Sequence, residues 1–199
     1  VFSALYDASS KYYGDKEDPQ LRTNIIDGHI IAIDLSEPMD RIMDKDEDIE
    51  YLDDYKLMNP YLLKLARDKI TKGGQTVLEE FEHGFKDARI GQYLDFKLKT
   101  MPTNILEEDM IQCYKKYRAV MGTAGRNMAL ARKPLGEIFY LGMAKAAESV
   151  GCGNEIEDSI KNKIVKIPSW PLYYSLLTND VKKGFELTMQ KSDLYLSEA

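Results

Sequence analysis

A mainly α-helical bundle is predicted for this 199-residue chain by three observations. Apolar side chains recur at spacings of three and four from about residue 59 to the C-terminal end, the period of a helix with one buried face. Pro and Gly clusters cut that pattern into lengths ordinary for helices. Only one segment, Asn24 to Leu35, carries a β-branched run. The expectation is a multi-helix bundle with an irregular N-terminal arm that has room for one short β-hairpin. The arm and hairpin take residues 1–40, and the helical domain takes residues 41–199.

Residues 1–24 are polar and contain Ser9-Ser10, Gly14 and Pro19, a composition that suits an arm. In the β-branched run, Asp27-Gly28 is a hairpin-type turn pair. A lone hairpin is marginal, so it would lean on helices or on another subunit. Ser36-Glu37-Pro38 is a helix start. Asn59-Pro60 opens a helix that Gly73-Gly74 closes, and a second runs from about Gln75 to Lys97 until Met101-Pro102 breaks it. Asn104, with Glu107 three residues on, has the spacing of a capping box. Leu106, Met110, Cys113, Tyr117 and Val120 then make one apolar stripe. Gly122 and Gly125 form a hinge before a short helix that reaches Lys133-Pro134. From Leu135 the positions Ile138, Phe139, Gly142, Met143, Ala146 and Val150 give the most regular helical pattern of the chain. Gly151-Cys-Gly153 stops it, and Asn154 caps a helix to about Val165. Pro168 to Pro171 is a rigid turn before helices near Leu172–Leu177 and Asp180–Leu196.

The chain is long enough to bury a core without a metal or disulfide staple. Its two cysteines, Cys113 and Cys152, form no motif and read as buried thiols. No apolar run reaches the ~18–20 residues that span a bilayer. The first residues carry no secretory leader pattern.

Catalytic and metal-binding patterns fail on their own terms, so the expectation is a structural protein without metal, cofactor or small-molecule substrate. Glu80 and His83 have di-iron spacing, but such a site needs a second copy, and the other histidine, His29, has Ile26 three residues before it. Asp44, Asp46 and Asp48 alternate like a calcium loop. Ile49 and Tyr55 stand where that loop needs Gly and Glu, and a solvated acidic face is the plainer reading. Gly122-Thr-Ala-Gly125 lacks the Lys-Ser/Thr of a phosphate loop and has no strand before it.

Charge is the outstanding feature. Between Ile111 and Ala146 stand seven cations and one carboxylate, Glu137, in a chain of net charge −6. Lys115, Lys116, Arg118, Arg126, Arg132 and Lys133 are the candidate contacts to an anionic partner, with Tyr114 and Tyr117 interleaved. Gly122 and Gly125 would let the backbone come close to it. An ordinary basic helix surface, or pairing with the acidic half of a neighbouring subunit, fits the same residues.

Gly122, Gly125, Arg126, Ala129-Leu-Ala-Arg132, Gly136, Gly142 and the run Ala144 to Ala147, ending near Ile160–Ile167, carry a likeness. Over about residues 111–167 the chain resembles the helical core of the major capsid proteins of filamentous archaeal viruses. The resemblance implies all-helical subunits that pair with a copy or a paralogue in the virion. Such pairs wrap double-stranded DNA in A-form through phosphates, without reading sequence. The acidic Asp40–Asp54 stretch departs from that pattern, and residues 1–24 are not notably basic. A different expectation is an accessory subunit of a larger cytoplasmic or organellar assembly that binds protein partners only.

Overall fold

The computed structural model describes residues 1–36, 38, 52–99, 105–163 and 168–199, and these are helical almost throughout. In chain order the helices are α1 (Phe2–Tyr13), α2 (Pro19–Asp34), α3 (Leu52–Ile70), α4 (Gln75–Leu98), α5 (Glu107–Cys113), α6 (Lys115–Met128), α7 (Leu135–Asn162), α8 (Trp170–Thr178) and α9 (Val181–Glu198). A 3₁₀ turn, Thr71–Gly73, links α3 to α4. No described helix is long and apolar enough to cross a membrane. The chain forms two compact units: Val1–Gly84 with Thr123–Tyr140, and Phe85–Gly122 with Leu141–Ala199. That division differs from the arm and helical domain expected on either side of residue 40.

The first unit is built where the sequence suggests an arm. Asp18 caps α2 by accepting the Leu21 N–H at 2.9 Å, with Pro19 at the first helical position. Gly14, at φ 68°, ends α1 in the left-handed conformation. The expected hairpin over Asn24–Leu35 is therefore corrected to helix. The Asp-Pro start signal lies six residues upstream of Asn24. Gly28 is not a turn but a close-packing point, where an added Cβ would stand 2.7 Å from Ile70 Cγ1 and 3.0 Å from the Ala66 carbonyl of α3. Burial of Ile25 and Ile26 beside Tyr6, Ala66, Ile70, Val77, Phe81 and Met128 outweighs the small helix penalty of β-branched residues.

The second unit gathers Ile105, Met110, Tyr114, Cys152, Trp170 and Tyr195 into its core. Trp170 stacks on Tyr174 with ring centroids 5.5 Å apart and meets Tyr114 edge-on at 5.8 Å. Ser169 caps α8 and Asp180 caps α9, each accepting a backbone N–H of the first turn.

Two glycine signals, one proline signal and one face are also corrected. Gly122 and Gly125 are no hinge, because both are buried inside the unbroken α6. Gly151-Cys-Gly153 stops nothing, since α7 runs through to Asn162. Pro60 lies inside α3 instead of opening it. In α7 the buried positions include Ala144, Ala147, Glu148, Cys152, Glu155 and Ser159, whereas Ile138 and Val150 of the expected apolar face are exposed. The period is readable, but the buried face is rotated by about one residue, roughly 100°. Leu106 takes the N-cap of α5, and its N–H is accepted by Asp109 at 3.0 Å. Asn104, Met101-Pro102, the acidic run from Asp40 to Glu50 and the Ile164–Ile167 tail of the likeness lie outside the described residues.

Candidate functional site

The candidate cations are distributed over α6 and the turn after it, and most of them face carboxylates of their own unit. In the first unit, Arg126 donates from Nη1 to Glu80 at 2.7 Å and from Nη2 to Glu137 at 3.0 Å. Its guanidinium lies 4.3 Å from the Tyr140 ring centroid. Arg132 forks onto Asp15 at 2.8 and 2.5 Å, lies 4.0 Å from the Tyr13 ring centroid, and donates from Nε to the Ala129 carbonyl. Hydrogen bonding to Arg132 holds the Asp15 carboxyl below the usual carboxylate range. Tyr13 closes the same joint: its hydroxyl donates to the Arg132 carbonyl and accepts the Leu135 N–H.

In the second unit, Lys116 donates to Asp95 at 2.8 Å and to Gln92 at 3.1 Å. The pair is nearly enclosed, with side chains 16% and 8% exposed. Arg118 donates twice to Oε1 of the buried Glu148, at 3.0 and 2.6 Å. Lys145 Nζ stands 3.7 Å from the other Glu148 oxygen and 2.6 Å from Glu198. Lys115 is half-buried at the first position of α6. Lys133 is exposed, with Glu137 at 3.7 Å.

The close approach expected at Gly122 and Gly125 occurs on the facing helix. A Cβ at Gly84 would collide with the Thr123 side chain. A Cβ at Gly91 would stand 2.7 Å from the Lys116 backbone nitrogen and 3.0 Å from the Cys113 carbonyl. These glycines of α4 bring Asp95 and Glu80 within reach of cations on α6. Thus the small residues serve helix packing, and the packing sets the ion pairs.

Other candidate chemistry resolves the same way. Glu80, half of the Glu-x-x-His pattern, is the partner of Arg126. Among the described residues no group of three His, Cys, Asp or Glu side chains is placed to hold a metal ion. Cys113 and Cys152 are free and buried, and loss of solvent pushes both thiols up to about 12. The Tyr114 hydroxyl donates to Cys152 Sγ at 3.6 Å.

Sequence reasoning misses the burial of four polar side chains: Glu148, Glu155, His29 and Asn127. Glu155 accepts the Trp170 backbone N–H at 2.9 Å from inside the core. His29 and Asn127 meet at 3.1 Å inside the first unit. The only signal for Glu148 and Glu155 is their spacing of seven on the small-residue face of α7; nothing local marks His29. No protein-family model, no curated protein and no solved structure matches this chain.

Proposed function

We propose that this chain is an assembly subunit that works by associating with other protein chains through its helices, and not by wrapping DNA. One observation carries the reading: Lys116, Arg118, Arg126 and Arg132 each hold a carboxylate of their own unit at 3.0 Å or less. Binding to a phosphate backbone draws much of its free energy from protein cations that neutralise phosphates and release the counterions condensed on the nucleic acid. Here a phosphate would have to displace a protein carboxylate first. Displacement at Lys116 or Arg118 would strand Asp95 or Glu148, whose side chains are 8% and 2% exposed, as buried charges. The electrostatic contrast in the sequence is thereby spent inside each unit, and what remains outside is a chain of net charge −6.

Coat and assembly readings give opposite results in one experiment. The full chain is mixed with mixed-sequence double-stranded DNA at low salt and followed by gel retardation. The assembly reading expects no retention. Retention that falls steeply as salt rises would overturn it and restore the coat reading. Arg126→Glu combined with Arg132→Glu is expected to lower the melting temperature, through loss of the Glu80, Glu137 and Asp15 pairs, without changing DNA behaviour.

A further inference from the structure

A cavity of about 430 Å³ lies within the first unit, where the turn from α1 to α2 meets the residues after α6. Its volume suits a small organic ligand. Tyr6, Ser10 and the run Asp15 to Asp18 supply the polar lining. Pro19, Leu21 and Leu130 supply the apolar lining. Tyr6 is the buried member, 6% exposed, with its ring in the core beside Ile25, Ile26 and Met128. Its hydroxyl makes no hydrogen bond within the described residues. It stands among the charges of Asp18, Asp15, Arg132 and Arg22, and the first two of these line the cavity. Burial first, and then Asp18 and Asp15, raise its pKa above that of an ordinary tyrosine, so the hydroxyl keeps its proton. A polar group so deep in a fold ordinarily has a partner.

The charges of the lining select the partner's sign. Asp15 is already neutralised by Arg132. Asp18 gives Oδ1 to the Leu21 N–H at 2.9 Å, which leaves Oδ2 without a partner among the described residues. Glu17 has no ion pair among them either. Two free acids against one cation, Lys16, leave the lining negative. A metal ion does not fit, because no group of three His, Cys, Asp or Glu side chains among the described residues is placed to hold one. Leu21 and Leu130 suit hydrocarbon instead. Leu130 and Ala131 hold φ of 50° and 56°, a left-handed conformation that Gly takes without strain. Leu130 stands there nonetheless, and its side chain divides between the core and the cavity.

We propose that this cavity binds a primary alkylammonium ion, whose ammonium donates to the Tyr6 hydroxyl, Asp18 Oδ2 and Glu17 while its hydrocarbon lies on Leu21 and Leu130. An ammonium has three N–H donors, one for each of those acceptors. A free amine and a lysine side chain of another chain share this chemistry. Asp18 and Glu17 are exposed, so the expected affinity is about millimolar. The site goes beyond the assembly reading and does not rest on it.

Amide resonances of the full chain, followed by nuclear magnetic resonance during titration with n-pentylammonium chloride, test it. Saturable shifts are expected at Asp15 to Asp18, Leu21 and Leu130. Pentanol, with the same chain and no charge, should bind more weakly, and pentanoate should not bind. Asp18→Asn keeps the helix cap, since Asn also accepts the Leu21 N–H, and should weaken ammonium binding about fivefold. Tyr6→Phe removes only the hydroxyl and should weaken it by about the same factor. Lys16→Gln removes the one cation of the lining and should tighten it. Shifts with a lysine blocked at both backbone ends, as well as with pentylammonium, extend the site to a lysine of another chain; shifts with pentylammonium alone restrict it to free amines. The absence of a saturable shift, equal binding of pentanol, or an affinity unchanged in both Asp18→Asn and Tyr6→Phe overturns the proposal. None of these results bears on the assembly reading, which DNA retention alone removes.

Discussion

Buried polar side chains decide the chemistry of this molecule residue by residue. Asn127 Nδ2 is 3.0 Å from the Val77 carbonyl, so the amide nitrogen is the donor there, and it donates also to His29 Nε2 at 3.1 Å. His29 Nε2 must then be a bare acceptor, which fixes a neutral ring with its proton on Nδ1. Burial lowers the His29 pKa from 6.5 to about 3. A group depressed in the folded state binds its proton more readily when unfolded. Stability should therefore fall as pH drops below about 6.5 and stop falling near pH 3, by about 2–3 kcal/mol at pH 4.5. Urea unfolding at a series of pH values measures this. His29→Leu is expected to flatten the slope over that window, and an unchanged slope would assign it to other groups. Glu148 makes a second case. Arg118→Ala leaves a carboxylate with 2% side-chain exposure short of its main partner. The cost should be about 2 kcal/mol, less than for a fully enclosed pair because the guanidinium is 39% exposed. Replacing both residues by Leu should recover most of it, and equal losses in the single and double variants would contradict this account.

Helix packing turns on which glycines face a neighbour. A Cβ at Gly91 would press on the Lys116 nitrogen and the Cys113 carbonyl, backbone atoms that cannot swing aside. A Cβ at Gly153 would meet nothing within 4 Å. Gly91→Ala should destabilise by about 1–3 kcal/mol through overpacking. Gly153→Ala, in the exposed interior of α7, should stabilise by about 0.5–1 kcal/mol through the lower entropy of the unfolded chain. Thermal melts of both variants would show opposite shifts. The pair also explains what the sequence can reveal. Spacing announces α4 and the existence of α7, because burial on one face leaves a periodic trace. It cannot tell a glycine that ends a helix from one that admits a neighbour, so Gly28, Gly122, Gly125 and Gly151 read as a turn, a hinge and a stop. It also places the buried face of α7 on Ile138 and Val150, since their apolar side chains outweigh the one signal of Glu148 and Glu155, a spacing of seven on the small-residue face. For the cations, sequence supplies the residues but not their partners: Asp15, Glu80 and Asp95 lie between 21 and 117 positions away from the side chains they hold.

At the scale of the whole molecule, the two units are joined through shared helices. The chain crosses from one to the other at Gly84–Phe85, Gly122–Thr123 and Tyr140–Leu141. Each crossing falls in the interior of a helix: α4, α6 and α7 respectively. For one unit to unfold alone, three helices would have to break mid-length, each leaving new backbone donors and acceptors without partners. A single cooperative transition is therefore expected. The chain offers a direct reading of this. Its one tryptophan, Trp170, is fully buried in the second unit, while the acid-sensitive His29 is buried in the first. Acid weakens the first unit through His29, but Trp170 emission should redshift over the same pH interval in which far-ultraviolet circular dichroism loses helix. An emission change displaced to lower pH would mean that the first unit melts independently and that the shared helices fray at the crossings.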